Sequence, residues 1–119
     1  MEYLLLIHSE IPRNPEAITE AARSQMVAAY RAYTEALHQA GVVKGSNRLR
    51  PAAGGTAVRV RDGKTEVHNG PYIETREELA GYYLIDVPNL DAALTWAARC
   101  PGAAAGTMEV RPIWPMNEY

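Results

Sequence analysis

Residues 57–68, AVRVRDGKTEVH, contain the clearest structural signal in the chain: two alternating runs of apolar and polar residues joined by Asp62-Gly63. Asp-Gly is the preferred sequence for the two-residue type I′ turn of a β-hairpin. Counting outward from that turn pairs Arg59 with Glu66. Alternation then divides the hairpin into an apolar face of Val58, Val60, Thr65 and Val67 and a polar face of Arg59, Arg61, Lys64, Glu66 and His68.

The segments on both sides of the hairpin extend it to an α+β domain. In chain order we predict a strand at 3–8, a helix from Asn14-Pro15 to Gly41, an edge strand with loop in 41–55, the hairpin, a strand at 81–87, a helix from Asn89 to Pro101 and a strand at 107–113. This order is close to the βαββαβ sandwich of ferredoxin-like domains.

Helical spacing predicts one packing face on each helix. On the first helix it comprises Ile18, Ala22, Met26, Tyr30, Tyr33, Leu37 and Ala40. On the second it comprises Leu90, Ala93, Leu94 and Ala97.

Length and charge narrow the class of protein. The 119 residues suit one domain over residues 1–119, and a net charge of −2 with scattered basic residues argues against direct binding to nucleic acid or an anionic membrane. The apolar run near the start is five residues long and follows Glu2, so neither a signal peptide nor a membrane span is expected and a cytoplasmic location is predicted. Three histidines without ligand spacing and a single cysteine lead us to expect no metal and no cofactor.

One long stretch and two short ones carry a family resemblance. Residues 69–116, NGPYIETREELAGYYLIDVPNLDAALTWAARCPGAAAGTMEVRPIWPM, together with MEYLLLIH and VRVRDGK, resemble the YCII-related proteins of the DGPF-domain group. The resemblance implies a ferredoxin-like fold that pairs into a dimeric α+β barrel, and hence a homodimer. It also implies a possible association with sigma factors, beside which some relatives occur, while the wider superfamily includes a lyase that eliminates chloride from an aromatic ring.

The motif of that group is altered at positions that bear on chemistry. Its Asp-Gly-Pro-Phe corresponds to residues 69–72, where Asn69 replaces the Asp and Tyr72 replaces the Phe. In the wider superfamily a His and an Asp form the proposed acid-base pair. Since an asparagine cannot ionise, a pair that relies on a carboxylate at position 69 is not available here.

Candidate site residues are those on the sheet face that the helices leave uncovered. If the polar faces align, His8, Arg59, Glu66, His68, Glu109 and Arg111 project into one space, with Asn69 and Tyr72 at its rim. We take His68, Glu74 and His8 as candidate catalytic residues and Asn69, Tyr72, Arg59, Glu109 and Arg111 as candidate ligand-binding residues. Histidine suits proton transfer because its intrinsic pKa lies nearest neutrality.

Each candidate also has a structural interpretation. Arg59 and Glu66 form a cross-strand ion pair by the simplest account, and Glu109 and Arg111 serve equally well as interface charges. His8 fits a hydrogen-bonded core or interface histidine, and Glu74 fits a surface ion pair.

Two functions follow as hypotheses. The first is a small-molecule binding or regulatory domain, in line with the missing acid at position 69. The alternative is a cofactor-independent lyase or isomerase in which a histidine moves a proton on a small, aromatic substrate and an arginine holds an anionic group. In either case two copies are expected to pair through the sheet face opposite the helices.

Overall fold

The computed structural model of the chain describes residues 1–11, 15–70 and 76–119. Its regular elements are β1 (Glu2–Glu10), α1 (Glu20–Gln39), β2 (Val43–Arg48), β3 (Thr56–Arg61), β4 (Lys64–Asn69), β5 (Glu77–Asp86), α2 (Leu90–Arg99), α3 (Pro101–Ala105) and β6 (Thr107–Pro112). The predicted mixture of strands and helices is confirmed.

Four strands form the main sheet, in the order β2-β5-β1-β6. All its pairs are antiparallel. The order is that of the ferredoxin-like fold, because the first and third core strands lie at the centre and the second and fourth at the edges. The predicted βαββαβ core is therefore confirmed, with β3 and β4 inserted between its second and third strands.

Alternation along β1 decides which face of the sheet is buried. Tyr3, Leu5 and Ile7 are buried, whereas the residues between them are only partly covered. The buried face packs against the helices to form the core, whose other members are Tyr33, Leu37, Tyr83, Ile85, Val87, Ala93, Ala97 and Cys100. No helix of the described residues lies over the opposite face of the sheet, and we call that face the open face.

The first helix begins later than predicted. Its N-cap is Thr19, whose side-chain oxygen accepts a hydrogen bond from the backbone N–H of Ala22 at 3.1 Å. Pro15 begins a short 3-10 turn that ends at Ala17, and Asn14 lies outside the described residues. The chain thus holds two sets of capping residues in series, and the second one starts the helix.

The packing faces predicted for the helices are only half right. Tyr33 and Leu37 are buried, but every residue from Glu20 to Ala29 is exposed, because no element within the described residues packs against the first half of α1. On α2 the predicted face is divided in the same way: Ala93 and Ala97 are buried, while Leu90 and Leu94 are exposed.

The predicted hairpin is confirmed residue by residue. Arg59 pairs with Glu66 and Val58 with Val67, and positive φ angles of 53° at Asp62 and 74° at Gly63 are those of a type I′ turn. The hairpin is nevertheless a separate two-stranded sheet, so its polar face does not continue the open face. We call residues 56–69 the arm.

Within the described part of the chain, no helix combines the length and the apolar character that crossing a membrane requires.

Candidate functional site

The open face combines an apolar floor with polar side chains on both sides. Register places Leu6 opposite both Tyr82 and Glu109, and Leu4 opposite both Leu84 and Arg111. Directly opposed residues of an antiparallel sheet share a face. The open face therefore carries Asn47, Tyr82, Leu84, Leu4, Leu6, His8, Glu109 and Arg111.

Three polar residues meet at one side of this face. Nε2 of His8 lies 3.0 Å from Oε1 of Glu109, and the second carboxylate oxygen lies 3.8 Å from Nε of Arg111. The His8 and Glu109 side chains are 31% and 45% exposed, so both remain within reach of a dissolved molecule. The expectation that these three residues share a face is met, whereas their roles stay predictions.

The contact with Glu109 fixes where His8 can take up a proton. A carboxylate only accepts hydrogen bonds, so Nε2 carries the hydrogen in this contact. In the neutral imidazole the lone pair is then on Nδ1. In its neutral form His8 is thus the tautomer with the hydrogen on Nε2 and the lone pair on Nδ1.

Two backbone features position His8. The pairing of β1 with β5 shifts by one residue beside it, because Ile7 pairs with Gly81 but His8 pairs with Leu79. Such bulges change the direction of a side chain and recur next to functional sites. On the other side, Gly106 lies so close to the backbone carbonyl of His8 that a Cβ atom there would collide with it.

The far side of the open face is also polar. The amide nitrogen of Asn47 donates to the hydroxyl of Tyr82 at 2.8 Å. Tyr82 and Glu109 are separated by one intervening strand, about 10 Å across the sheet. Leu6 lies directly between the two polar groups, and Leu4 and Leu84 lie two residues further along their strands. Apolar surface with a few polar groups is the composition of small-molecule sites.

Sequence reasoning did not select Tyr82, Asn47 or Gly106 as site residues. The alternation of GYYLID would have separated Tyr82 from the buried Tyr83 once the register of β5 was known. No local signal pairs Asn47 with Tyr82, because that contact depends on the neighbouring strand.

The remaining described candidates lie on the arm. Nε of Arg59 and Oε2 of Glu66 are 2.6 Å apart across the hairpin, and both side chains are half exposed. His68 lies opposite Ala57, and Asn69 lies opposite Thr56. His68, Asn69 and Thr56 are exposed, and Ala57 is half-buried. The cross-strand ion pair is the contact that the structural interpretation predicts.

A groove of about 310 Å³ runs along the arm, lined by Ala57, Val58, Arg59, Glu66, Val67 and His68. Because β3 and β4 bond only to each other within the two sheets, this groove and the three residues at β1 and β6 are separate features. Tyr72 and Glu74 lie outside the described residues, so the pairing of Glu74 with His68 stays a prediction.

Two further possibilities can be judged from the described residues. No group of three or more histidine, cysteine, aspartate or glutamate side chains among them could hold a metal ion. Burial raises the pKa of the Cys100 thiol, which is 2% exposed. Cys100 is thus a structural thiol, because nucleophilic cysteines have a lowered pKa and some exposure.

Comparison with known proteins identifies the family. The family model of the YCII-related domain matches residues 1–117. The chain belongs to the YCII-related family. A relative within the curated proteins, an uncharacterised protein of Rhizobium meliloti (strain 1021), is 33% identical over 118 residues, covering 91% of this chain and 92% of its own.

A solved structure supports the fold of this family member. The chain is similar to 5-chloro-2-hydroxyhydroquinone dehydrochlorinase (TftG) of Burkholderia phenoliruptrix AC1100, in complex with 2,5-dihydroxybenzoquinone, with a TM-score of 0.53 and 14% identity. The match covers 97% of this chain and 94% of the dehydrochlorinase. At that identity the likeness concerns the fold alone.

Proposed function

We propose that this YCII-related protein binds a small, planar organic anion on the open face. The observation that carries the proposal is the row formed by His8, Glu109 and Arg111, in which a carboxylate holds an imidazole at 3.0 Å beside a guanidinium 68% exposed. A guanidinium matches carboxylate and enolate groups and stacks on flat rings. The leucine floor would contact the ring, and the Tyr82 hydroxyl would meet a polar group at its far end.

Binding is tested with three probe anions: benzoate, 4-hydroxybenzoate and 2,5-dihydroxybenzoquinone, the last being the compound in the dehydrochlorinase complex. A ligand that binds only the folded chain raises its melting temperature with concentration. We expect at least one probe to raise the melting temperature of the parent protein. For Arg111→Ala and for His8→Ala, the same rise should require at least a tenfold higher probe concentration. Arg31→Ala and His38→Ala, at exposed positions of α1, are the matched controls and should respond as the parent does.

A second candidate function is proton transfer on the same ligand, favoured by the tautomer that Glu109 imposes on His8. Nδ1 would take a proton from a ring carbon or hydroxyl, and the electron pair left behind would shift a double bond or expel a leaving group such as chloride. In the isomerisation the proton would return to another carbon of the substrate, and in the elimination it would pass to water while chloride leaves. The dehydrochlorinase supports this reaction class by analogy of fold only.

The enzymatic version needs turnover as well as binding. Positioned acid-base catalysis contributes roughly 10²- to 10⁴-fold to a rate. We expect His8→Ala to lower chloride release from a chlorinated hydroquinone, or proton exchange on a keto acid, by about that factor, and His68→Ala to leave it unchanged. Binding without turnover by the parent would leave the binding function and remove the enzymatic one.

Pairing of two copies through the open face belongs to the same proposal. A solvated face of an antiparallel sheet ordinarily carries polar residues at alternate positions. Here Leu4, Leu6 and Leu84 occupy those positions and are only partly buried, so a second copy would cover them and enclose the site. Static light scattering at micromolar concentration should give the mass of a dimer, and a stable monomer would refute the pairing.

A regulatory role beside a sigma factor is a further part of the proposal, supported by the family resemblance. The test is co-purification of the chain with an extracytoplasmic-function sigma factor encoded beside it, with and without the probe anion that binds best. Absence of any such complex under both conditions would remove this role and leave ligand binding intact.

A further inference from the structure

The arm leaves an apolar surface uncovered. Val58, Val60 and Val67 are 67%, 58% and 65% exposed. Eleven of the twelve strand residues of the arm are exposed. A two-stranded hairpin is at best marginally stable in water without a third strand or a packed layer. An arm of this composition therefore needs a cover.

The uncovered surface is free of charge. Val58 pairs with Val67 and Val60 with Thr65, so these four side chains share one face of the arm. The charged side chains, Arg59 and Glu66 among them, alternate onto the other face. The apolar face can thus be buried without removing a charged group from water. Removal of an unpaired charged group from water would cost roughly several kcal/mol per ion.

Among residues 1–11, 15–70 and 76–119, no other element covers the valines. The Cα radius of gyration is 16.6 Å, and the molecule measures 47 × 46 × 18 Å. A compact domain of this length has a radius of gyration of about 13.5 Å. The chain is a flat body about two layers thick from which the arm stands apart.

The open face of a second copy does not cover the valines, because the proposed pairing already places it against the open face of the first copy. The apolar face of another arm is left uncovered by that pairing, and it carries no charged group that would lose water. A two-fold axis brings identical surfaces together. Two such faces packed at the usual distance of roughly 10 Å would form a small two-layer sandwich.

We propose that the arm packs on the arm of a second copy of this chain, apolar face to apolar face, through Val58, Val60, Thr65 and Val67. The contact adds to the pairing through the open face and is smaller than the roughly 800 Å² per partner of a standard interface. The arm contact therefore forms only in a dimer that the pairing of the open faces already holds together. Val58 and Val67, which also line the groove of the arm, would be covered by this contact, whereas Arg59 and His68 lie on the other face.

Cross-linking tests the geometry of this contact. Thr65→Cys places a thiol on the apolar face and Lys64→Cys places one on the opposite face, while the native Cys100 is buried. With a short bis-maleimide we expect Thr65→Cys to form a cross-linked dimer at least tenfold faster than Lys64→Cys. The parent protein, which keeps only Cys100, is the background control.

A charge on the apolar face tests its energetic role. Val60→Lys should raise the dissociation constant of the dimer at least tenfold in sedimentation equilibrium, with an unchanged circular dichroism spectrum, whereas Arg61→Lys should not. Equal cross-linking of the two cysteine variants, or an unchanged dissociation constant for Val60→Lys, would overturn the arm contact. Either result leaves probe-anion binding at His8 and Arg111 untouched, so this contact and the proposed function fail separately.

Discussion

Glu109 accepts a hydrogen bond from Nε2 of His8 at 3.0 Å, although 101 residues separate them along the chain. The contact exists because β6 pairs with β1 and brings Glu109 beside Leu6, two residues from His8. It links the first strand of the fold to the last one.

The strength of this contact is measured by a double-mutant cycle of His8→Ala and Glu109→Ala. Because both side chains are partly exposed, we expect a coupling free energy of about 0.2–1 kcal/mol in urea unfolding at pH 6. The coupling should fall in high salt, since exposed charges are screened. A coupling of zero at low salt would show that the pair does not form in solution.

Replacement of Gly106 by alanine tests how the site is positioned. The added Cβ would collide with the carbonyl of His8, and we expect a loss of about 1–3 kcal/mol of unfolding free energy together with weaker probe-anion binding. Gly54→Ala is the control, because a Cβ there would meet nothing within 4 Å. Equal stability of the two variants would contradict the close approach at Gly106.

A pair of leucines distinguishes packing in the structure from the periodicity of the sequence. Helical spacing assigns both Leu37 and Leu94 to packing faces, but Leu37 is fully buried and Leu94 is 47% exposed. Leu37→Ala should lower the unfolding free energy by about 2–5 kcal/mol, as buried leucines do. Leu94→Ala should change it by about 0.5 kcal/mol or less. Similar losses in both variants would indicate that Leu94 is covered in solution.

Alkaline pH should destabilise the core through its tyrosines. Burial raises the pKa of Tyr30 to about 12, and it also raises the pKa of Tyr33 and Tyr83. The unfolded chain releases these protons near pH 10, so stability present below pH 10 is lost as the pH rises toward 12. Unfolding followed at each pH should show this loss, and Tyr30→Phe should reduce it. A parent whose stability is flat across this window would contradict the buried tyrosines.

The sequence predicted best the features that local chemistry decides. Asp62-Gly63 sets the hairpin register through its turn geometry, and Asn89 starts α2 by accepting a hydrogen bond from the backbone of Ala92. Alternation grouped His8 with Leu4 and Leu6 on β1 and Glu109 with Arg111 on β6, and the pairing of the two strands then brought these groups to one face. The turn, the cap and the alternation are short-range consequences of backbone conformation.

Local sequence patterns could not predict which helix residues are buried or which sheet the arm joins, because both depend on the tertiary structure. Periodicity shows which side chains of α1 can be buried, but it does not show which of them are: Met26, on the predicted face, is 52% exposed. In the same way, the alternation of the arm fixes its two faces and leaves open which sheet it joins. Because the arm forms a sheet of its own, Arg59 and His68 lie apart from His8, and alternation alone could not predict this.

The most direct test of the central claim is a titration of ¹⁵N-labelled protein with the three probe anions, followed by two-dimensional NMR. Binding on the open face predicts saturable shifts at the backbone amides of Leu6, His8 and Glu109, lost in Arg111→Ala and retained in Arg31→Ala. Shifts confined to the arm, at Glu66 and His68, or no saturable shift with any probe, would contradict the account.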